Sequence, residues 1–156
     1  MRHGEGCYTY AVADPETPAD CYNGHWDKNL KSGIGKQIYQ GVGTYYGYWC
    51  NNERHGEGVM SYSNEDVYSG NWCAGQKEGQ GTYIFYATKQ KYVGKFFKGQ
   101  MQQGQWQYCD GSYFEGCFDN NMPKGAGHWN FKCGNVVAGC YKQTNKAEEP
   151  GVKLSW

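Results

Sequence analysis

Large and polar residues alternate along most of this chain, and the alternation recurs at a fixed interval. A short box places aromatic residues at positions i and i+4 with glycine at i+2, as in Tyr68–Trp72 (Tyr-Ser-Gly-Asn-Trp). Residues two apart in a β-strand point to the same face, so all three share one side of a strand. The box recurs at Tyr22–Trp26, Tyr45–Trp49, Tyr92–Phe96 and Phe114–Phe118, with a weaker form at Val137–Tyr141. The pattern predicts strands with one aromatic face, on which the glycine leaves room for a neighbour's ring.

The boxes form a tandem repeat, because their central glycines are 23, 23, 24, 22 and 23 residues apart. A half repeat at 2–10 opens the chain and matches 54–62 nearly residue for residue, and a proline-containing insertion at 11–20 follows it. A second element, Gly-x-Gly followed by alternating large residues, occurs at Gly33/Gly35, Gly56/Gly58, Gly79/Gly81 and Gly125/Gly127. The array is predicted to cover 1–141, with repeats beginning near 22, 45, 68, 92 and 114, a degenerate last box at 137–141, and a polar tail at 142–156.

Each repeat is predicted to be a β-hairpin, since the segment between its two elements, such as Cys73–Glu78, has turn chemistry. An isolated hairpin is only marginally stable in water, so successive hairpins must stack edge to edge. The expected fold is all-β, an elongated single-layer twisted antiparallel sheet of stacked hairpins. At about 4.8 Å per strand the array would span roughly 60 Å. Its end strands would present unpaired backbone groups, which favour sheet-edge pairing or self-association.

Composition and charge limit the classes of partner and the cellular location that can be expected. Aromatic side chains must supply the packing, because the chain has 15 Tyr, 6 Trp and 6 Phe beside 24 Gly. The 15 basic and 15 acidic residues cancel, so no nucleic-acid partner is expected and a membrane is disfavoured. The eight Cys accompany neither a signal peptide nor an Asn-x-Ser/Thr sequon, which favours reduced thiols in the cytoplasm.

The sequence offers no catalytic or metal-binding constellation. It lacks His-x-x-x-His, Cys-x-x-Cys and Gly-x-Ser-x-Gly, and it places no base in an evident relation to a nucleophile. The Gly-x-Gly pairs superficially resemble phosphate-binding loops, but a strand follows them where such a loop requires a helix N-terminus. The four His are interpreted as turn or box-flanking residues. We therefore expect no enzyme activity, no cofactor and no metal.

The box aromatics have two interpretations. They either pack the sheet or line a face on which a partner docks, and a single-layer sheet allows both on the same side. The residues assigned to this structural or partner-docking face are Tyr22, Trp26, Tyr45, Trp49, Tyr68, Trp72, Tyr92, Phe96, Phe114 and Phe118.

The fourth repeat departs from the pattern, with Gln103 and Gln105 at the positions expected for the glycine pair. No acidic residue occurs between Glu78 and Asp110, whereas Lys89, Lys91, Lys95 and Lys98 do, the first three with strand parity opposite to the aromatics. These lysines are either a solvated strand face or a patch that binds an acidic partner or a phosphoinositide. In the tail, Leu154 and Trp156 are candidates for anchoring to a partner.

These residues resemble the MORN repeat, whose pattern is Tyr-x-Gly-x-Trp, a turn, then Gly-x-Gly and aromatics. The resemblance covers about 2–141. The order of Asn64–Trp72, Gly79–Tyr83, Lys91–Gly94 and Pro123–Gly127 is similar to the radial spoke head protein 1 family of cilia and flagella, although a long acidic tail found in some relatives is absent.

The resemblance implies a structural subunit of the axonemal radial spoke head, acting through contacts with other spoke-head proteins in a hetero-oligomeric complex. It implies a cytoskeletal location in the cilium or flagellum. One alternative is a MORN-type membrane-surface tether that binds anionic phospholipid, and another is an accessory repeat region of an enzyme.

Overall fold

The fold is a single open antiparallel sheet in which every strand pairs with its neighbours in sequence. The computed structural model describes residues 1–11 and 18–142 and the backbone of Leu154–Ser155, and within these it contains no helix. The strands are β1 (Gly4–Thr9), β2 (Cys21–Asp27), β3 (Leu30–Tyr39), β4 (Gly43–Cys50), β5 (Glu53–Tyr62), β6 (Val67–Cys73), β7 (Gln76–Phe85), β8 (Gln90–Phe97), β9 (Gln100–Gln107), β10 (Tyr113–Asp119), β11 (Met122–Asn130), β12 (Val136–Tyr141) and β13 (Leu154–Ser155). The predicted all-β sheet of stacked hairpins is confirmed.

Two-residue turns close the hairpins that begin with an aromatic box. Both central residues have positive φ, as in Asn51 (φ 49°) and Asn52 (φ 71°), which is the type I′ geometry that matches the twist of the flanking strands. The second turn residue also contacts the preceding hairpin: the Asn52 amide donates to the Lys31 carbonyl at 3.1 Å, and the Asn52 side-chain oxygen accepts from the Lys31 amide at 2.8 Å. Each turn thereby fixes the stacking of one hairpin on the last.

A row of glycines crosses the twelve longer strands. The paired residues along it are Gly6, Gly24, Gly35, Gly47, Gly58, Gly70, Gly81, Gly94, Gly104, Gly116, Gly127 and Gly139. From Gly24 to Gly127 the room they leave is filled by the first aromatic of a box. That ring covers the glycine of its own box and the paired glycine of the next strand, so the predicted neighbour's ring is found at every second glycine. A Cβ on Gly58, for example, would lie 2.3 Å from the Tyr45 hydroxyl.

The fourth hairpin is one residue shorter than its neighbours. Gly104, not Gln105, pairs with Gly94, just as Gly81 pairs with Gly70. In this hairpin the bulge gives the second strand one residue more than the first, namely Gln102. In the other hairpins the second strand has two residues more than the first. The expectation that Gln103 and Gln105 replace the glycine pair is therefore wrong, because a deletion in the hairpin shifts the register.

The ends of the array are described only in part. Residues 12–17 of the predicted insertion, and 143–153 and Trp156 of the predicted polar tail, lie outside the described residues. Leu154 and Ser155 pair with Tyr141 and Cys140 of β12, so this part of the tail adds a short strand to the sheet. The predicted anchoring of the tail to a partner stays a prediction.

Candidate partner-binding face

The core of the protein is a continuous column of aromatic rings on one face of the sheet. Each ring of a box meets the ring of its own box and that of the next, edge to face: Tyr45 lies 5.2 Å from Trp49 and 5.2 Å from Trp72, at interplanar angles of 89° and 83°. Edge-to-face contact is a favoured geometry for aromatic pairs. The column runs in the order Trp26, Tyr22, Trp49, Tyr45, Trp72, Tyr68, Phe96, Tyr92, Phe118, Phe114 and Tyr141.

Hydrogen bonds fix the column to the backbone. The Tyr68 hydroxyl donates to the Asn71 carbonyl at 2.9 Å, and the equivalent bond recurs in the other tyrosine boxes. The indole Nε1 of Trp72 donates to the carbonyl of Gly58 in the preceding repeat at 3.2 Å. Burial raises the pKa of Tyr22 to about 12, so the phenols stay protonated donors at neutral pH.

The ten box aromatics assigned from the sequence all lie in this column. Their exposed fractions are 5% or less, with Trp26 the most exposed and Tyr22 fully buried. Such placement fits the packing interpretation, and a partner would meet the half-buried rings beside the column instead. These are Tyr8, Tyr10, Tyr39, Tyr62, Tyr83, Phe85, Trp106 and Trp129. Partner docking on this face stays a prediction.

A row of cations lies across the same face, two residues after each of the first three hairpin turns. Arg54 Cζ lies 4.3 Å from the centre of the Trp72 ring, and Lys77 Nζ lies 4.7 Å from that of Tyr83. Arg2 and Lys31 occupy the equivalent positions in the earlier hairpins. Sequence reasoning missed this row, although its signal was present in the 23-residue spacing of Lys31, Arg54 and Lys77.

The cations differ in their hydrogen-bond partners and in their burial. Lys31 is buried and donates to Gln37 Oε1 at 2.6 Å, and Arg54 Nη2 donates to the Gly75 carbonyl at 2.6 Å. Burial lowers the pKa of Lys31, and burial together with the nearby Arg54 charge lowers the pKa of Lys77. Placing a charge on a partly desolvated face without an opposite charge costs free energy. This row of cations is therefore the electrostatically unusual part of the protein.

The lysines of the fourth repeat do not form one surface. Lys91 and Lys95 are exposed on β8, opposite the aromatic column, as expected. Lys89, however, precedes β8 in a turn with φ 56°, and Lys98 lies in the two-residue turn after β8 with φ 48°. The expectation that Lys89 shares the strand parity of Lys91 and Lys95 is wrong, because an extra residue lengthens this turn.

The opposite face of the sheet carries an open groove over the glycine row. Its volume is about 630 Å³. Exposed apolar side chains line part of it, with Tyr46 57% and Ile34 48% exposed. Within the described residues no cluster of His, Cys, Asp or Glu could hold a metal ion. The eight Cys are free thiols.

Comparison with known proteins agrees with the geometry. The model of the MORN repeat family matches residues 1–12, 22–41, 45–67 and 68–86, so this part of the chain carries MORN repeats. The same hairpin geometry continues beyond the matched segments through β12. No curated protein matches the chain significantly. In the part of the chain that the structure describes, no helix is long and apolar enough to cross a membrane.

Proposed function

We propose that this chain, which carries MORN repeats, is a non-enzymatic scaffold subunit of the axonemal radial spoke head in cilia and flagella. MORN repeats suggest a protein-binding or membrane-tethering role. The observation that favours protein binding is the set of half-buried aromatic rings beside the buried column, which lie along a single-layer sheet with nothing packed over them in the described residues. Apolar surface of this kind is typical of interaction sites.

The spoke-head assignment depends on the resemblance of its repeat sequences to that family. The order of Asn64–Trp72, Gly79–Tyr83, Lys91–Gly94 and Pro123–Gly127 is the feature that supports it. A scaffold in a motile assembly must transmit force without local yielding. The edge-to-face column and the bonds between successive hairpin turns join each hairpin to the next, as such a scaffold would need.

The proposal is tested by purifying the tagged full chain from ciliated cells, identifying its partners by mass spectrometry and imaging its location. We expect recovery of other spoke-head proteins and a signal along the axoneme. Recovery of a different assembly outside the axoneme would replace the spoke-head assignment while leaving a scaffold role intact. Recovery of no protein partner at all would overturn both.

The second candidate is a membrane-surface tether that binds anionic phospholipid through Lys89, Lys91, Lys95 and Lys98. All four side chains are exposed, and no acid interrupts the segment between Glu78 and Asp110. At roughly 1 kcal/mol per lysine near an anionic surface they supply about 4 kcal/mol, which is marginal without a second signal. Their distribution between β8 and its two flanking turns weakens this candidate.

Vesicle flotation separates the two candidates. The chain is mixed with phosphatidylserine vesicles, alongside a variant in which all four lysines are changed to glutamate. A control variant changes the exposed Lys28, Lys36, Lys132 and Lys142 to glutamate and so carries the same charge. Flotation lost only in the first variant would favour the tether, whereas no flotation of the native chain would remove it.

A further inference from the structure

Arg54 and Lys77 are the two half-buried cations that lie on adjacent hairpins of the aromatic face. They occupy β5 and β7, which are two strands apart, so their positions differ by about 10 Å. Half-buried rings adjoin Lys77, whose Nζ lies 5.9 Å from the centre of the Tyr62 ring and 4.7 Å from that of Tyr83. Tyr83 in turn lies 5.9 Å from Tyr62 and 4.6 Å from Phe85. These five residues, Arg54, Tyr62, Lys77, Tyr83 and Phe85, are named here the cation–aromatic surface.

No carboxylate of the described residues forms an ion pair with Arg54 or Lys77. The ion pairs there join His3 to Asp27 and Lys124 to Asp119, both far along the chain from Arg54 and Lys77. Two acids lie nearby, but neither forms an ion pair with Arg54 or Lys77. Asp66 accepts from the Tyr83 hydroxyl and the Tyr86 amide, and Glu78 accepts from the Lys98 amide. Arg54 and Lys77 therefore repel each other, and neither forms an ion pair within the described residues.

An apolar pocket adjoins the surface on the side of Lys77. It has a volume of about 200 Å³ and is lined by Lys77, Tyr83, Phe85, Met101 and Trp106, among others. Small-molecule sites typically measure about 300–1,000 Å³. The pocket is therefore of a size for one apolar side chain presented by another protein, beside a cation that forms no ion pair within the described residues.

We propose that the cation–aromatic surface docks an acidic segment of a partner protein, whose carboxylates pair with Arg54 and Lys77 while an apolar side chain enters the pocket beside Lys77. The proposal rests on the scaffold function above and specifies the chemistry of its partner. Carboxylates are the expected partner groups, because two like charges on a partly desolvated face gain the most free energy from pairing with opposite charges. A glutamate at every third residue of an extended polyproline II segment recurs every 9.3 Å or so, close to the hairpin spacing.

A synthetic fluorescent peptide repeating Glu-Leu-Ser provides the probe, and its binding to the full chain is measured by fluorescence anisotropy. Two matched peptides, repeating Gln-Leu-Ser and Glu-Ser-Ser, remove the charge and the apolar anchor respectively. We expect the first replacement to weaken binding about tenfold or more, since it leaves desolvated cations unpaired. Added salt should weaken binding of both glutamate-containing peptides and leave binding of the Gln-Leu-Ser peptide nearly unchanged.

Variants of the chain locate the binding. Met101 stands at the position equivalent to Lys77 in the next hairpin, so Arg54→Met with Lys77→Met is expected to leave the fold intact. The control pair, Lys91→Met with Lys95→Met, removes the same charge from the opposite face. We expect the first pair to weaken peptide binding about tenfold and the second to change it little. Melting temperatures of both variants verify that they are folded.

Several outcomes would overturn the proposal. It fails if the charged peptide does not bind, if the Gln-Leu-Ser peptide binds as well, or if only the Lys91 and Lys95 changes weaken binding. It also fails if phosphatidylserine vesicles bind through Arg54 and Lys77 while the peptide does not. If the peptide fails yet spoke-head proteins are recovered from cells, the surface assignment is wrong and the scaffold function stands.

Discussion

The two halves of the sheet achieve the same fold with different side chains. In the N-terminal region, residues 2–86, the second aromatic of each box is a tryptophan that donates a hydrogen bond to the preceding repeat. In the C-terminal region, residues 90–142, that position holds Phe96, Phe118 and Tyr141. The post-turn position changes likewise, from Arg or Lys to Met101 and Pro123. The family model matches segments of the N-terminal region alone.

The difference separates what the fold requires from what is added to it. The glycine row and the edge-to-face column continue unbroken from one region into the other, for example from Tyr68 to Phe96 at 5.0 Å and from Tyr92 to Phe118 at 5.1 Å. The hydrogen bonds from the indoles to the preceding repeat and the row of cations do not continue into the C-terminal region. The C-terminal region therefore forms the same sheet without a cation at this position, which is consistent with a role in binding for Arg54 and Lys77.

The largest expected effect comes from filling the glycine row where strands are closest. In Gly70→Val the new Cβ would lie 2.5 Å from the Gly81 Cα and 2.6 Å from the Gln80 carbonyl oxygen. Backbone atoms cannot move aside as a flexible side chain does, so we expect the free energy of unfolding to fall by about 3 kcal/mol or more. Urea unfolding followed by tryptophan fluorescence measures it.

A matched control exists at the other end of the same row. A Cβ on Gly139 would meet nothing within 4 Å, so Gly139→Ala is expected to leave stability nearly unchanged. Equal melting temperatures for Gly70→Val and the native chain would show that the close approach of the strands does not limit the sheet.

Much of the fold could be predicted from the sequence, because its periods are strong. The box at Tyr68–Trp72 and the glycine pair at Gly79/Gly81 predict strands, hairpins and the buried face, all of which depend on local spacing. The register of the fourth hairpin could not be predicted, since a deletion near Gln102 moves Gly104 into the row only once strand pairing is considered.

The candidate site was less predictable for a different physical reason. Lys77 is an ordinary charged residue until strand pairing places it among the rings of Tyr68, Tyr83 and Phe96, and two of these, Tyr68 and Phe96, belong to neighbouring strands. Likewise, Lys89 and Lys98 are adjacent to β8 in sequence but lie in turns rather than on its face.

A second prediction compares the buried Asp66 with the exposed Asp110, which occupy equivalent linker turns in the two regions. Burial alone would raise the pKa of Asp66, but hydrogen bonds from the Tyr86 amide, the Tyr83 hydroxyl and Asn64 outweigh it and lower that pKa. Asp66 therefore stabilises the fold above its unfolded pKa of about 3.9, and the contribution is lost as pH falls through the lower folded value.

Asp66→Ala should accordingly cost about 2 kcal/mol at neutral pH, because hydrogen bonds to a charged acceptor are lost. Below about pH 4 the native chain and this variant should converge in thermal stability. Asp110→Ala serves as the control and should cost less, since its partner Ser112 is local and Asp110 is exposed. If the difference in stability between Asp66→Ala and the native chain does not depend on pH, the stabilisation does not come from the charged carboxylate.

The smallest expected effect tests whether the indole bonds stabilise the N-terminal region. Trp72→Phe keeps an aromatic ring of the kind that Phe96 already provides at the next box, but it leaves the Gly58 carbonyl without the indole donor. We expect a loss of about 1 kcal/mol in the free energy of unfolding, measured by urea titration with circular dichroism.

Trp106→Phe is the matched change in the C-terminal region, where the indole donates to the Gln90 side chain at 3.1 Å. Because a released glutamine amide can turn to water and a buried carbonyl cannot, the Trp106 change should cost less. Equal losses would mean that the indole bonds do not distinguish the two regions, and the contrast between them would then be one of charge alone.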